Sequence, residues 1–295
     1  MTTKVEEQAL LETPSGKGAG DENFPVGSWL VARELRPHVA TYYAFARAID
    51  DIADNPDLSA EEKVRRLRRF AEAIEGAHGE DPALAKAQAC HASLVTCGVP
   101  LRHASDLTVA FIQDARQNRY TDWSDLVGYC DYSANPVGRF LLALHETEAP
   151  AAYAASDALC TALQVINHLQ DCGKDYRDMD RIYLPQDWMA EAGAKNVDLA
   201  GKALTPGLRR VLDRCLDATE DLLNQARRLP GLLPSRRLAL ESAIIYRLAC
   251  RLTLALRRRD PLAERVAFGK PAMLRAAVGS SLAVFLGYGE GRRGR

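Results

Sequence analysis

The sequence predicts a single all-α domain, and three observations support this prediction. Apolar residues recur at helical spacing through most of the 295 residues. Proline and glycine punctuate the chain between these periodic segments, whereas alternating β-type runs are nearly absent. Hydrophobic residues make up 47% of the chain and charged residues 26%, as is ordinary for a globular protein. We therefore expect one packed helical domain without an internal linker.

The predicted helices follow from periodicity and from their flanking residues. The first ends within YYAFARAIDDIADNP, residues 42–56, because Pro56 disfavours further helix and restricts Asn55. Ser59 and Glu62 form a capping box, which starts a second helix that reaches about Ala77. The segment SANPVG, residues 133–138, is expected to kink or break the helix that contains it. Further helices are predicted at about 82–96, 101–118, 123–146, 151–176, 207–228, 235–258 and 271–287.

Composition and terminal segments limit the classes of function. We expect a flexible N-terminal segment over residues 1–20, the helical domain over 21–288 and a basic tail over 289–295. A net charge of −1 gives no reason to expect nucleic-acid binding. No apolar run reaches the roughly 18 residues of a membrane span, and the N-terminus has no signal-peptide core. Seven single cysteines without a CxxC motif predict reduced thiols in a cytosolic protein, with neither a zinc site nor a disulfide framework.

The end of the first helix carries three aspartates, where the helix dipole disfavours negative charge. At about 100° per residue, Asp51 lies roughly a quarter turn away from Asp50. The same construction places four side chains on one face over three turns, namely Tyr43, Arg47, Asp50 and Asp54. A bound cation would remove the repulsion between the carboxylates on this face.

A second polar face follows on the helix predicted at 151–176. Asp171 and Asp175 are four residues apart, and Gln164 and Asn167 share their face. The opposite side carries Leu159, Leu163, Ile166 and Leu169. Proteins usually hold Mg²⁺ with one or two carboxylates, and water and phosphate oxygens complete its coordination shell. Two such pairs on separate helices therefore predict a Mg²⁺ site, with Mn²⁺ as the alternative ion and Asp50, Asp54, Asp171 and Asp175 as ligands.

These segments resemble the squalene and phytoene synthase family of head-to-head prenyl synthases. RAIDDIAD, residues 47–54, is similar to the first aspartate motif of the family, and QVINHLQDCGKD, residues 164–175, to the second. RIYLP, residues 181–185, matches the segment after the second motif, and the resemblance runs from about residue 21 to 270. ENFPVGSW, residues 22–29, and YCDYSANPVGRF, residues 129–140, look like the hopanoid-pathway hydroxysqualene synthase branch.

The resemblance implies an isoprenoid-synthase helical bundle around a central apolar cavity, with carbocation chemistry on a prenyl diphosphate. It implies catalytic roles for Tyr43, Arg47 and the four aspartates. The substrate-binding residues that it implies are Phe24, Tyr129, Gly138, Gln164, Asn167, Arg181, Tyr183 and Tyr246.

Stray water quenches a carbocation, so the remaining cavity wall is expected to be apolar. Phe24 and Phe45 offer aromatic faces that stabilise a cation, although ordinary packing is the more common role for each of them taken singly. The apolar candidates at helical spacing are Leu141, Leu142, Leu144, Leu159, Leu163 and Ile166.

In the branch that the sequence resembles, the expected reaction converts presqualene diphosphate to hydroxysqualene by ionisation, rearrangement and water capture. This reaction needs no nicotinamide cofactor. One alternative is head-to-head condensation to presqualene diphosphate, squalene or phytoene, and another is a head-to-tail elongase or terpene cyclase. A third alternative, from another class, is a non-catalytic assembly or binding protein of the same fold.

The expected location is the cytoplasm, with peripheral contact at the inner face of the cytoplasmic membrane as an extension. Basic segments at 64–70 and 256–260 and the tail GRRGR suit anionic lipid, although the first two also fit ordinary solvated helix faces. An upstream presqualene diphosphate synthase is the expected partner.

Overall fold

The computed structural model describes residue 11, residues 31–77, residue 79 and residues 81–267. Within these residues the only β-type pairing is one parallel bridge between Arg119 and Ile182. The predicted all-α class is confirmed. The helices are α1 Arg36–Asp54, α2 Ala60–Ile74, α3 Ala85–Thr96, α4 Arg102–Asp114, α5 Trp123–Ser133, α6 Asn135–Leu144, α7 Pro150–Met179, α8 Gln186–Glu191, α9 Pro206–Ala226, α10 Leu229–Leu232 and α11 Arg236–Arg258, with 3₁₀ turns at Pro82–Leu84 and Asn196–Ala200.

Several helix ends are set by a short polar side chain that caps the helix or by a proline that terminates it. The Ser59 hydroxyl accepts a 3.3 Å hydrogen bond from the Glu62 N–H at the start of α2, as the capping pattern predicted. Thr205 caps α9 in the same way, through the N–H of Leu208. Asn55, which follows α1, is extended with ψ of 116°, as expected for a residue before proline.

The predicted break in SANPVG is confirmed, whereas several predicted helix ends were wrong. The helix predicted at 101–118 ends at Asp114, because the next residues turn and the carbonyl of Asn118 accepts the N–H of Ile182 at 2.9 Å. The helix predicted at 123–146 is divided into α5 and α6 at Ala134, within the segment expected to kink or break. The helix predicted at 151–176 continues to Met179 and ends at Asp180, which is left-handed with φ of 50°.

Some predictions remain open. The helix predicted at 271–287 and the basic tail lie outside the described residues, as does nearly all of the N-terminal segment. The division into segment, domain and tail stays a prediction. None of the helices in the described residues combines the length and apolar character needed to span a membrane.

Buried apolar side chains form two clusters, and α4 and α6 contribute to both. The first cluster joins α1, α2 and α3, with Phe45 and Phe70 completely buried in it. The second surrounds α7, which packs along α6, α9 and α11. The aspartates of α1 therefore lie on a helix that packs in the first cluster, and those of α7 on a helix that packs in the second.

The contact between α6 and α7 depends on Gly138. A Cβ atom at this position would lie 2.4 Å from the Ser156 hydroxyl and 2.7 Å from the Cys160 sulfur. Only glycine therefore lets the two helices approach this closely without a shift of the side chains on α7.

Candidate active site

The polar face predicted on α1 is present in the structure. Tyr42, Phe45, Ile49 and Ile52 are buried in the first apolar cluster, whereas the four predicted residues are only partly buried. The partly buried residues are Tyr43, Arg47, Asp50 and Asp54.

Arg47 is bonded to two carboxylates on this helix. Its Nη1 donates to Asp50 Oδ2 at 2.5 Å, and its Nη2 donates to Asp51 Oδ1 at 2.9 Å. We expected Asp51 to lie about a quarter turn from Asp50, but the long guanidinium side chain reaches both residues. Asp51 therefore belongs to the charged cluster, a contact that helical angles alone do not predict.

Arg181 connects the end of α1 to the segment that follows α7. Its Nη1 donates to Asp54 Oδ1 at 2.7 Å, and its Nη2 donates to the Ala53 carbonyl at 3.3 Å. Its side chain is only 9% exposed. Burial alone would lower the pKa of Arg181, but nearby Asp114, Tyr183 and Asp54 outweigh it and raise the pKa. This pair joins two predicted site residues that lie far apart in the chain.

The second predicted face lies on α7. Leu159, Ile166 and Leu169 are buried on its core side. Leu163 is only partly buried, although we placed it with these residues. The predicted polar side chains are partly or fully exposed to solvent, namely Gln164, Asn167, Asp171 and Asp175.

The two aspartate pairs influence one another electrostatically. Burial and the neighbouring Asp171 raise the pKa of Asp175 to about 7, and Asp54 adds to this increase from the other helix. Lys174 and Arg181 act in the opposite direction. Because Asp175 responds to both Asp54 and Arg181, the ends of α1 and α7 contribute to one charged region.

The donors in this region suit a hard cation. The described residues include no group of three or more His, Cys, Asp or Glu side chains arranged to hold a metal ion. Mg²⁺ commonly needs only one or two protein carboxylates, since water and substrate phosphates complete its shell. The all-oxygen donors of Asp54, Asp171 and Asp175, together with the raised pKa of Asp175, therefore fit Mg²⁺.

Asp114 is a buried residue of this region that sequence reasoning missed. Its carboxylate accepts the hydroxyl of Tyr129 at 2.9 Å and that of Tyr183 at 3.4 Å. Burial raises the pKa of Asp114 to about 6, although Arg181 and Tyr129 act against this change. The His168 ring stacks on Tyr183 with 3.5 Å between centroids. Asp114 therefore anchors the hydroxyl groups of two predicted substrate-binding tyrosines.

One sequence signal could have identified Asp114. Leu107, Ala110 and Asp114 follow helical spacing on α4, and the first two are buried. An aspartate that continues an apolar stripe needs a buried partner. No short motif surrounds it in FIQDARQNRY, residues 111–120, so the stripe was the only indication.

The other predicted residues lie in varied surroundings. Gly138 has the packing contact described above, and its role in substrate binding stays a prediction. Tyr246 is half-buried on α11, where burial and a hydrogen bond with the Cys250 thiol raise its pKa to about 12. Phe24 lies outside the described residues. Phe45 is completely buried near Phe70, which favours ordinary packing over contact with a cation.

The predicted apolar wall divides between the two clusters. Leu144 is buried in the first cluster, and Leu142, Leu159 and Ile166 are buried in the second. Leu141 and Leu163 are partly buried, one packed against each cluster. These two side chains are therefore the best placed of the six to line a space between the clusters. The central cavity itself stays a prediction.

The sequence profile of the squalene/phytoene synthase family matches residues 18–271. The chain belongs to the squalene/phytoene synthase family. This confirms the family that the aspartate motifs and RIYLP predicted. Enzymes of this family act on prenyl diphosphates.

Among members of the family with similar sequences, two are named hydroxysqualene synthase. The protein from Zymomonas mobilis subsp. mobilis is 43% identical over 262 residues, covering 88% of this chain and 87% of its own. The protein from Rhodopseudomonas palustris is 42% identical over 255 residues, covering 86% of each chain. These similarities agree with the predicted branch.

A similar solved structure is that of squalene synthase HpnC from Alicyclobacillus acidocaldarius. It has a TM-score of 0.70 and 33% sequence identity, and the match covers 81% of this chain and 90% of that one. Family membership and this likeness confirm the predicted isoprenoid-synthase helical fold.

Proposed function

We propose that this protein converts presqualene diphosphate to hydroxysqualene. The observation that carries the proposal is the 2.7 Å ion pair between Arg181, in the segment after α7, and Asp54 at the end of α1. Carboxylates and buried guanidinium groups in one region suit a substrate with a diphosphate group. The hydroxysqualene synthases at 42–43% identity support the choice of substrate and product within the family.

The arginines have the first role in the proposed reaction. Arg181 and Arg47 donate hydrogen bonds to the diphosphate oxygens, and these bonds strengthen as negative charge develops on the leaving group. Asp50, Asp54, Asp171 and Asp175 are the residues that would hold Mg²⁺, which supplies further neutralisation of that charge.

The apolar residues have the second role, because a carbocation must meet only one chosen water molecule. The C–O bond breaks and its electron pair leaves with the diphosphate. After rearrangement, a water oxygen bonds to the carbocation and one proton passes to solvent or to the released diphosphate. The carbon skeleton of the substrate undergoes no net reduction, so the reaction needs no hydride donor. Tyr43, Gln164 and Asn167 would shape the polar end of the cavity, and partly buried Leu141 and Leu163 would form its apolar wall.

The test is incubation of the purified protein with presqualene diphosphate and Mg²⁺ in the absence of a nicotinamide cofactor. We expect hydroxysqualene and one equivalent of diphosphate. Conversion of two farnesyl diphosphates, with no turnover of presqualene diphosphate, would overturn the proposal in favour of head-to-head condensation.

A matched pair of variants tests the role of α7 in this reaction. Asp171→Asn should reduce turnover at least 100-fold without lowering the melting temperature much, because Asp171 is exposed and its charge repels that of Asp175. Asp217→Asn on α9, where the exposed aspartate pairs with Arg257 at 2.5 Å, is the control and should remain active. Full activity of Asp171→Asn would remove this residue from the site.

The proposal includes a cytoplasmic location, peripheral membrane contact and an upstream presqualene diphosphate synthase. The structure weakens two basic segments as lipid contacts, because Arg69 pairs with Asp81 and Arg257 pairs with Asp217 and Glu220. Flotation with anionic liposomes measures this contact. Protein that remains entirely at the bottom of the gradient would contradict it.

A further inference from the structure

A pocket of about 500 Å³ adjoins the candidate active site. It lies where the C-terminal ends of α1, α4 and α7 meet the first turn of α2. Its lining includes Asp54 and Arg181 but neither Asp171 nor Asp175. It also includes Lys63 of α2, and we refer to it as the Lys63 pocket. It therefore shares one wall with the carboxylate site without being the same space.

Four acidic side chains line the Lys63 pocket, and all but Asp114, which accepts hydrogen bonds from two tyrosine hydroxyls, are paired with cations. Asp54 is bonded to Arg181 at 2.7 Å and Asp178 to Lys174 at 3.4 Å. Asp180 is bonded to Arg119 at 2.5 Å. Two of these partners, Lys174 and Arg119, lie outside the lining and add positive charge to the region.

Three cations in the same lining have no such partner. Across the described ranges, no carboxylate lies within salt-bridge distance of Lys63, Arg116 or Arg177. Counting the four cations and four carboxylates of the lining and the two partners from outside it, six cations face four carboxylates, and such a net positive charge attracts anions.

The three helix C-termini add negative partial charge at the pocket, but within the described part of the chain they do not hold Lys63 or Arg177 in hydrogen bonds. Three helices end at the pocket, and their carbonyl groups would favour positive charge there. The carbonyls of Ala53 and Asp114 accept hydrogen bonds from Arg181, and that of Tyr176 accepts the N–H of Asp180. Among the described residues, the side chains of Lys63 and Arg177 make no hydrogen bond to these carbonyls.

The surroundings of Lys63 agree with an uncompensated positive potential. Burial lowers the pKa of Lys63, the charge of Arg181 lowers it further, and the opposing effect of Asp54 is smaller. An anion beside Lys63 would offset both the burial and the repulsion from Arg181.

We propose that the Lys63 pocket binds inorganic diphosphate and receives the leaving group after it departs from the carboxylate site. Lys63, Arg116 and Arg177 would donate to its oxygens, and Arg181 would contact it from the shared wall. The choice of diphosphate rests on the proposed function, which releases this anion beside Asp54 and Arg181. The same charges would also suit the phosphate of an anionic lipid headgroup, so the test separates these two sources.

The experiment is calorimetric titration of inorganic diphosphate into the full chain with a metal chelator present. Without metal, the carboxylates of α7 repel diphosphate, so binding reports on the Lys63 pocket. Lys63→Gln and Arg177→Gln should each weaken binding about tenfold, which is one charge-assisted hydrogen bond. Arg68→Gln, an exposed change on α2 outside the pocket, is the matched control and should not alter binding.

Each outcome decides the proposal. No binding at millimolar diphosphate, or equal affinity in the wild type, Lys63→Gln and Arg177→Gln, overturns it. A second arm measures binding to phosphatidylglycerol vesicles. Vesicle binding that depends on Lys63, with no binding of diphosphate, assigns the pocket to lipid and also overturns it. Arg177 is exposed, so its variant should fold and keep the test valid even if Lys63→Gln fails to fold.

Product analysis remains a separate readout. Diphosphate binding that depends on Lys63 would support the pocket even if presqualene diphosphate proved not to be the substrate. Hydroxysqualene formation with unchanged diphosphate affinity in the variants would reject the pocket and leave the proposed function intact.

Discussion

Replacing Asp175 by asparagine should stabilise the metal-free protein at alkaline pH. Burial and the charge of Asp171 raise the pKa of Asp175 from 3.8 to about 7. This difference corresponds to roughly 4 kcal/mol when the folded protein carries the ionised carboxylate, and partial solvent access reduces it to about 2–4 kcal/mol. Asp175→Asn removes the charge and keeps the shape of the side chain.

The direction of the pH effect follows from the two pKa values. Because the folded-state pKa of Asp175 lies above its unfolded value, ionised Asp175 destabilises the fold above about pH 7. The penalty declines as the pH falls and is absent below about pH 4, where both states are protonated. Asp175→Asn should therefore melt roughly 5–12 °C above the wild type at pH 8, and the two should converge near pH 4.

Thermal unfolding followed by circular dichroism, with a chelator present, measures this difference. Asp178→Asn is the control, because its aspartate is exposed and, among the described residues, pairs only with Lys174. Its melting temperature should differ little from the wild type at any pH. A lower melting temperature for Asp175→Asn at pH 8, or a difference that is the same at pH 8 and pH 4, would refute the reasoning.

Three further substitutions test other contacts. Gly138→Ala should destabilise the fold by about 1–3 kcal/mol in denaturant unfolding, because its Cβ would lie 2.4 Å from the Ser156 hydroxyl. A second change, Ser156→Gly, should recover part of this loss. Arg181→Met should lower the free energy of unfolding by about 3–5 kcal/mol in the same assay, since it leaves the buried carboxylate of Asp114 without its cation. An unchanged unfolding midpoint would show that the cation is dispensable. Tyr129→Phe removes the 2.9 Å hydrogen bond to Asp114, so the pKa of Asp114 should rise further above 6. NMR titration measures this pKa, and a fall would contradict the assigned hydrogen bond.

The sequence predicted the long helices because their apolar residues repeat over several turns. α7 and α9 are examples, with 30 and 21 residues. The four residues of α10 complete about one turn, which is too short for a helical repeat of apolar residues to be recognised. The early end of α4 was also beyond sequence reasoning, because it depends on a pairing with Ile182 from a distant part of the chain.

The candidate site shows the same limit. Spacing alone placed Arg47, Asp50 and Asp54 on one face of α1, since helix geometry is local. Spacing could not show that Arg181 would reach Asp54, because that contact depends on how the segment after α7 lies against the end of α1. The hydrogen bonds of Asp114 likewise come from two other segments. Local chemistry was therefore predictable, whereas the partners of each charge required the fold.

The most direct test of the account is a crystal of this protein soaked with Mn²⁺ and inorganic diphosphate, with the ion located by anomalous scattering. We expect manganese coordinated by carboxylates of both α1 and α7 and by diphosphate oxygens, with Arg181 in contact with the same diphosphate. Manganese bound to only one of the two helices, or bound away from all four aspartates, would contradict the central claim.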